Sequence, residues 1–482
     1  MNKTLAGAGA LLVFASLSLA PQTFAAPKAT TSAATQGDFR ALYKELVETN
    51  TTATAGSCTL AAERMANRLK AAGYPDEDFH PFAVPEHPKD GGLVFVAPGR
   101  DPKAKAILLL AHIDVVEAKR EDWTRDPFEL VEENGYFYAR GAFDDKAEAA
   151  IWVDTLIRYR KEGFHPRRTL KIALTCGEEG GGQFNGAEWL SEHQRDLIDA
   201  EFALNEGSFG ELDAQGNRVA LELQAGEKLV ANFQLEVTNP GGHSSRPLKN
   251  NAIYHLAGAL QRIETYEFPA QFTDSNRAYF TGMARIEAAK GETEIANAMN
   301  ALVKDPNDAA AIALVSSKDP TWNATLRTTC VATMLNAGHA PNALPQRADA
   351  NINCRIFPAV PVESVRQKLE ELVSDPEVKV TALTHPERSS PPPPLTPAVM
   401  GPFNKLAAQF WPGLPVIPIL QPAATDGRYL NAAGIPTYGI EPVFVGPDLG
   451  HAHALNEYIG VKSVMDARDF LYQLVKIYAD EK

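Results

Sequence analysis

Ile107-Leu-Leu-Leu-Ala-His-Ile-Asp114 is the stretch on which the fold turns. Five apolar residues, Ile107 to Ala111, run unbroken into His112 and Asp114, the pattern of a fully buried strand that ends at a polar edge. Two later runs repeat it: Leu170 to Cys176 leads into Glu178-Glu179, and Phe202 to Leu204 leads into Glu206. Leu93 to Ala97 is a further short apolar run. Between and before these strands the spacing is helical, with Phe39, Leu42, Tyr43, Leu46 and Val47 on one face, a second helix from about Leu60 to Ala72 closed by Gly73, and a third from about Ala147 to Arg160. This alternation is α/β. In open α/β sheets ligands gather at the carboxyl edge, where loops leave the strands, and the polar residues named here lie there.

The texture changes near Glu227. From Val230 to Val237 the chain alternates, Ala231, Phe233, Leu235 and Val237 against Asn232, Gln234 and Glu236, as a half-buried strand does. An Ala- and Asp-rich stretch from about Thr273 to Asp319 reads as a helical insertion or mobile lid, and Pro391 to Pro394 as a stiff linker. These features predict a first domain made of 38–227 and 393–482, with a smaller domain, 228–392, inserted in it. No internal repeat or heptad run is present.

With 482 residues, 45% hydrophobic and 22% charged, the chain can bury one large core and a second smaller one. A net charge of -14 without clustered Lys and Arg argues against a nucleic-acid partner. Lys3 followed by apolar Leu5 to Leu19 and then Thr23-Phe24-Ala25 reads as a signal peptide, 1–25, cleaved after Ala25 or Ala26. The apolar run is short for a membrane span, so export to the periplasm or medium is expected, with no membrane association after cleavage. Residues 26–37, rich in Ala, Thr and Ser, are expected to be a disordered leader. The four cysteines, Cys58, Cys176, Cys330 and Cys354, form no CxxC pair; Cys330 and Cys354, in strand-like segments separated by turn signals, are candidates for a bridge in an oxidising compartment.

Five acidic or imidazole clusters remain: His112-Ile-Asp114, Asp144-Asp145-Lys146, Glu178-Glu179, Glu206 and His451-Ala-His453. Singly, each is the composition of a solvated surface. Together, two imidazoles and three or four carboxylates suit two zinc ions, each with one His and one terminal carboxylate, with one carboxylate and a water bridging. Magnesium and calcium disfavour imidazole. One carboxylate beside a ligand should stay free to accept a proton.

Ala111-His-Ile-Asp-Val-Val116, Trp123, Asp126-Pro-Phe128 and Ala139-Arg-Gly-Ala-Phe-Asp-Asp-Lys146 resemble the dinuclear zinc peptidases that include glutamate carboxypeptidase, aminoacylase, carnosine dipeptidase and carboxypeptidase S. The resemblance continues, in the family's order, through Glu178-Glu179, Asn205-Glu206-Gly207, Pro240-Gly-Gly-His-Ser-Ser-Arg-Pro247, Asn342-Ala-Leu-Pro345 and His453-Ala-Leu-Asn-Glu457. It implies a zinc-hydrolase domain with a mixed sheet flanked by helices and an inserted α+β lid and dimerisation domain. It also implies two zinc ions per chain: His112 and Glu206 on one, Glu179 and His453 on the other, Asp144 bridging through a cis Asp144-Asp145 peptide, and Glu178 as general base. Asp114 would orient His112. His451 rivals His453, which is preferred because Asn456-Glu457 follows it at the family's spacing. From the lid, His243 would stabilise the oxyanion and Arg355 would clamp the substrate's carboxylate; Arg327 has no assigned role. Gly177, Ala147 and Asn336-Ala337-Gly338 depart from the family's usual residues, and Ala147 puts the loop beside Asp144 in doubt.

The expected activity is hydrolysis of an amide next to a free carboxylate, in a small peptide or N-acyl amino acid, with a homodimer through the lid as a possible assembly. The alternatives are an aminopeptidase of the same fold and a non-catalytic peptide-binding homologue. A serine hydrolase is disfavoured because Gly242-His243-Ser244-Ser245 lacks a nucleophile elbow. Side-chain preference, the choice between peptide and acyl amide, the native metal and the oligomeric state are not written in the sequence.

Overall fold

The computed structural model of the protein describes residues 33–180, 184–383 and 391–481; the expected signal peptide, 1–25, and residues 26–32 of the expected leader lie outside them. The first helix, Ala33–Val47, starts inside that leader, so residues 33–37 are helical rather than disordered. Ala33 and Ala34 have high helix propensity, and Arg468 fixes the new turn by donating to the Thr35 carbonyl at 3.1 Å. The second helix, Cys58–Ala71, is capped by Ser57, whose side chain accepts from Leu60 N.

The apolar runs form one ten-stranded mixed sheet. Its order is Phe79–Val84, His87–Ala97, Leu170–Thr175, Ile107–His112, Phe202–Asn205, Thr437–Gly439, Arg218–Glu227, Gly210–Leu212 and Phe444–Val445, with Val416–Gln421 paired to Arg218–Glu227. Ile107–His112 lies parallel to both of its neighbours, and the ladder aligns His112 with Thr175. Every residue of Ile107–His112 and of Leu170–Thr175 is buried, as the apolar run Ile107 to Ala111 predicts for the first; in the second the buried Lys171 interrupts the run and donates to the Asp199 carbonyl at 2.8 Å. Helices Ala33–Val47, Cys58–Ala71, Lys146–Glu162, Pro397–Phe410 and Val461–Asp480 contribute to the main core; Trp152 in the third donates its indole N–H to the Leu110 carbonyl at 3.1 Å.

A separate antiparallel sheet, Thr329–Ala337, Arg347–Ile356, Leu229–Thr238 and Lys379–Ala382 in that order, forms the lid. Ala231, Phe233, Leu235 and Val237 face a core shared with helices Ala252–Glu264 and Val362–Val373. Four helices occupy the Ala- and Asp-rich stretch: Asp274–Ala289, Thr293–Lys304, Ala309–Lys318 and Pro320–Leu326. They have their own core, and Tyr279, Met283 and Ile286 pack on Ile417 and Ile419 of the large sheet. The insertion is thus a wall against the large sheet. Among the described residues no helix is long and apolar enough to cross a membrane.

All four cysteines pair: Cys330 with Cys354, as the turn spacing allowed, and Cys58 with Cys176, which nothing in the sequence singled out.

Candidate metal centre

Three strand ends deliver the proposed ligands. His112 closes Ile107–His112, Glu179 lies four residues past Leu170–Thr175, and Glu206 follows Phe202–Asn205. Asp144 stands just before helix Lys146–Glu162, preceded by a loop that Glu457 gathers from 314 residues away. The buried Glu457 carboxylate accepts from Arg140 Nη1 at 2.7 Å and from the backbone N–H of Gly141, Phe143 and Asp144 at 2.9, 2.7 and 3.1 Å. The Asp144-Asp145 peptide is cis, as the resemblance implied. Ala147 is buried in the first turn of that helix, and the loop keeps Asp144 within reach of both imidazoles.

Two ligand sets share Asp144. In His112, Asp144 and Glu206, and again in Asp144, Glu179 and His453, the candidate ligand atoms lie within 4.8 Å of one another. His112 Nε2 is 3.1 Å from Asp144 Oδ1 and 3.8 Å from Glu206 Oε1; His453 Nε2 is 3.1 Å from Asp144 Oδ2 and 2.7 Å from Glu179 Oε2. His451 turns away to Asp448, 3.3 Å distant, and so does not compete with His453. Imidazole on one side, carboxylate on the other and one carboxylate with an oxygen for each set is the donor chemistry that fits a pair of borderline-soft divalent ions such as zinc.

Asp114 differs from its expected role. The His112 Nδ1 sits 3.1 Å from the Asp114 backbone carbonyl and 3.6 Å from its carboxylate, so the carbonyl fixes the ring. The Asp114 carboxylate instead accepts from Glu179 N at 3.1 Å and Glu178 N at 3.4 Å, tying the two glutamates to the first ligand loop. Gly177, which departs from the family's usual residue, has φ +93°, and a Cβ there would stand 2.1 Å from the Phe184 carbonyl; the turn admits only glycine. Asp426, which sequence reasoning passed over, supports the same turn by accepting from Thr175 Oγ1 at 2.8 Å and Asn185 Nδ2 at 2.6 Å. Its only signal is an Asp-Gly pair in a loop, which many surface turns share.

The electrostatics follow from crowding acids with two imidazoles. Burial opposes charge on His112, yet the Asp114 carboxylate 3.6 Å away, the hydrogen bond to Asp144 and the field of Glu206 raise its pKa well above the usual value. Hydrogen bonds that His453 donates to the Asp144 and Glu179 carboxylates lift it to about 10. Burial pushes the Glu178 carboxyl up to about 8, with Asp426, Asp144 and Glu179 adding to it against the field of His112.

The lid residues stand apart. His243 is exposed in the short strand Gly242–His243, which pairs with Ala343–Leu344, and its Nδ1 accepts from Ser245 N at 3.1 Å; its side-chain hydrogen bonds among the described residues go to Ser245. Arg355 is half-buried, with Nη1 donating to the Pro422 carbonyl at 3.3 Å, and Pro422 lines a cavity of about 520 Å³ that also includes Asp144 and Glu206. Arg327 is a buried ion-pair residue, 2.6 Å from Glu267.

A mixed α/β sheet with imidazole and carboxylate pairs at its carboxyl edge, plus a separate antiparallel lid, defines a metal-dependent hydrolase. Residues 108–477 match the model of Peptidase family M20/M25/M40, and the chain belongs to that family. It is 30% identical over 400 residues to the N-fatty-acyl-amino acid synthase/hydrolase PM20D1 of Mus musculus, covering 80% of this chain and 76% of that protein. It is 27% identical to aminoacylase-1 of Sus scrofa, over 77% and 80% of the two chains. Among solved structures, an M20 family metallo-carboxypeptidase from Sulfolobus solfataricus superposes with a TM-score of 0.67 at 19% identity, over 92% of this chain and 99% of that one. Human carnosine dipeptidase 1 does so with a TM-score of 0.58 at 16% identity, over 92% and 96%.

Proposed function

We propose that the protein is an exported two-zinc hydrolase that cleaves an amide bond next to a free carboxylate, in a dipeptide, a longer peptide's C-terminus or an N-acyl amino acid. The observation that carries this reading is the pair of ligand sets joined at Asp144, with Glu178 beside them. His112 and Glu206 would hold one ion, Glu179 and His453 the other, and Asp144 both. When bound, the ions supply Lewis acidity for the scissile carbonyl and a water acidic enough to lose a proton near neutral pH. Glu178 takes that proton and returns it to the leaving amine. Asp114 and Glu457 hold the loops that carry Glu178, Glu179 and Asp144 in place.

Arg355, with a planar fork and no carboxylate partner among the described residues, receives the substrate's carboxylate. His243 would donate to the oxyanion after the lid, which we place at residues 228–392, closes, or from a second copy. The exposed lid strand Thr329–Ala337, with Val331, Met334 and Leu335 bare, supports pairing of two copies there. Export is supported by the apolar run at Leu5 to Leu19 and by four cysteines all paired.

A panel of dipeptides and N-acyl amino acids, assayed by amine release with the zinc-loaded protein, tests the reading. Cleavage that needs metal and is lost when the substrate's carboxylate is amidated is expected. Equal cleavage of the amidated substrate would favour an aminopeptidase, and metal binding without turnover a non-catalytic binder.

A further inference from the structure

We infer that the acyl side of the substrate carries a primary ammonium, received by Glu211 and Glu222 in the cavity beside the metal centre; this rests on the reading of that centre as an amide hydrolase. The cavity, about 520 Å³, is lined by five carboxylates, Asp144, Glu206, Glu211, Glu222 and Glu441, and among the described residues by no Lys, Arg or His. Two divalent ions would balance Asp144 and Glu206. They leave the other three acids uncompensated.

Glu222, on Arg218–Glu227, is buried, and Glu211 stands on the adjacent antiparallel strand Gly210–Leu212. In the ladder Glu211 lies opposite Ala220, two residues from Glu222, so the two acids share one face of the strand pair and both line the cavity. Burial, with Glu211 beside it, raises the Glu222 carboxyl well above the usual range. An ammonium lying between the two would offset the charge crowded there. Glu441 adds an independent sign of a missing donor: it is 5% exposed, it lines the same cavity, and its Oε1 has no partner.

The remaining walls suit the stem of such a group. Phe209, Ile419 and Leu420 offer apolar surface for methylenes, and Tyr279, from the helical insertion, adds an aromatic ring of the kind that attracts cations. The side of the bond follows from charge. Arg355, which donates to Pro422 of the same cavity, receives the carboxylate of the amine-side residue, while Glu211, Glu222 and Glu441 repel that residue, so the acids take the acyl side.

The test compares kcat/KM for lysyl-alanine and norleucyl-alanine, which differ in the terminal ammonium, on the zinc-loaded full chain and on its E222Q and E211Q variants. The lysyl substrate is expected to be preferred by about 10- to 100-fold in the parent protein, with the ratio falling close to one in each variant. A parent ratio near or below one, or a ratio unchanged in both variants, overturns the subsite while leaving the hydrolase reading intact. So does a preference that appears only when lysine is moved to the amine side. Should neither dipeptide be cleaved, calorimetric binding of lysinamide against norleucinamide to the parent reads the subsite without turnover, and equal affinities overturn it.

Discussion

At the carboxyl edge of the large sheet, His112 is 1% exposed and its Nε2 lies 3.1 Å from Asp144, while His243 in the lid is exposed and its side chain bonds to Ser245 two residues on. One imidazole is held by a buried strand and a backbone carbonyl; the other waits on a two-residue strand. The difference teaches that the candidate ligands are already gathered, whereas an oxyanion contact from His243, as proposed, would need movement of the lid or a second chain. The largest effect should therefore come from the assembled side. Glu178→Gln is expected to lower kcat on the order of 10⁴-fold, with two metal ions per chain still found by elemental analysis. Full turnover with metal bound would remove Glu178 from the mechanism.

The same contrast extends to the disulfides. Cys58–Cys176 closes 118 residues and pins the N-terminus of helix Cys58–Ala71 to the residue two before Glu178, whereas Cys330–Cys354 closes 24 residues within the lid sheet. Chain-entropy arguments give about 5 kcal/mol for the first and about 3.5 for the second as upper values. Urea unfolding of the C58A/C176A and C330A/C354A pairs should rank them in that order. Loss of activity is expected to accompany the first pair only, since only that bridge abuts the turn of Glu178 and Glu179. Equal loss of activity in both would mean that the lid is no less preorganised than the sheet edge.

What could be read from the sequence divides along the same line. His112, Glu178-Glu179 and Glu206 stood out because each lies at or just past the end of a mostly apolar strand. Asp144 and His453 stood out only as members of acidic or imidazole clusters, and the resemblance had to choose them, because Asp144 sits in a loop held by Glu457 and His453 has a left-handed backbone, φ +59°, that no periodicity announces. Cys58 and Cys176 meet through tertiary packing, and Asp114 looked like a partner of His112 because nothing in the chain order reveals that two N–H groups 64 and 65 residues later converge on it. The helical insertion was visible by composition, but its docking on Ile417 and Ile419 was not.

A smaller effect is expected from the lid imidazole itself. His243→Ala should cost about 10²-fold in kcat with little change in metal content or stability, because the side chain is exposed and supports nothing but Ser245. Sedimentation of the variant and its parent at several concentrations, set beside specific activity, separates lid closure from a borrowed residue. Activity that rises with dimer fraction in the parent but not in the variant assigns the contact to the second copy.

The smallest effect lies at the joint between the two regions, where Glu227 ends the last strand of the large sheet before the lid strand Leu229–Thr238 and Lys228 separates them. Burial raises the Glu227 carboxyl to about 8, against an N–H bond from Thr425, and burial lowers the Lys228 ammonium to about 7, with Arg355 adding to it. Between the ordinary carboxyl value of 4.5 and about 8, folded Glu227 keeps a proton that the unfolded chain has released, so its contribution is greatest below pH 4.5 and falls as pH rises to about 8. Between about 7 and 10.5 the unfolded chain holds a proton that folded Lys228 has lost, so stability gains across that window. Urea midpoints measured from pH 5 to 10 should show Glu227→Gln gaining on the parent up to about pH 8, and Lys228→Met losing its advantage above about pH 7, each by a few kcal/mol at most. Parallel profiles for all three proteins would mean that both groups are solvated at the joint, and that the lid swings on a wetter hinge than the packing of Lys228 against the Ala324 carbonyl implies.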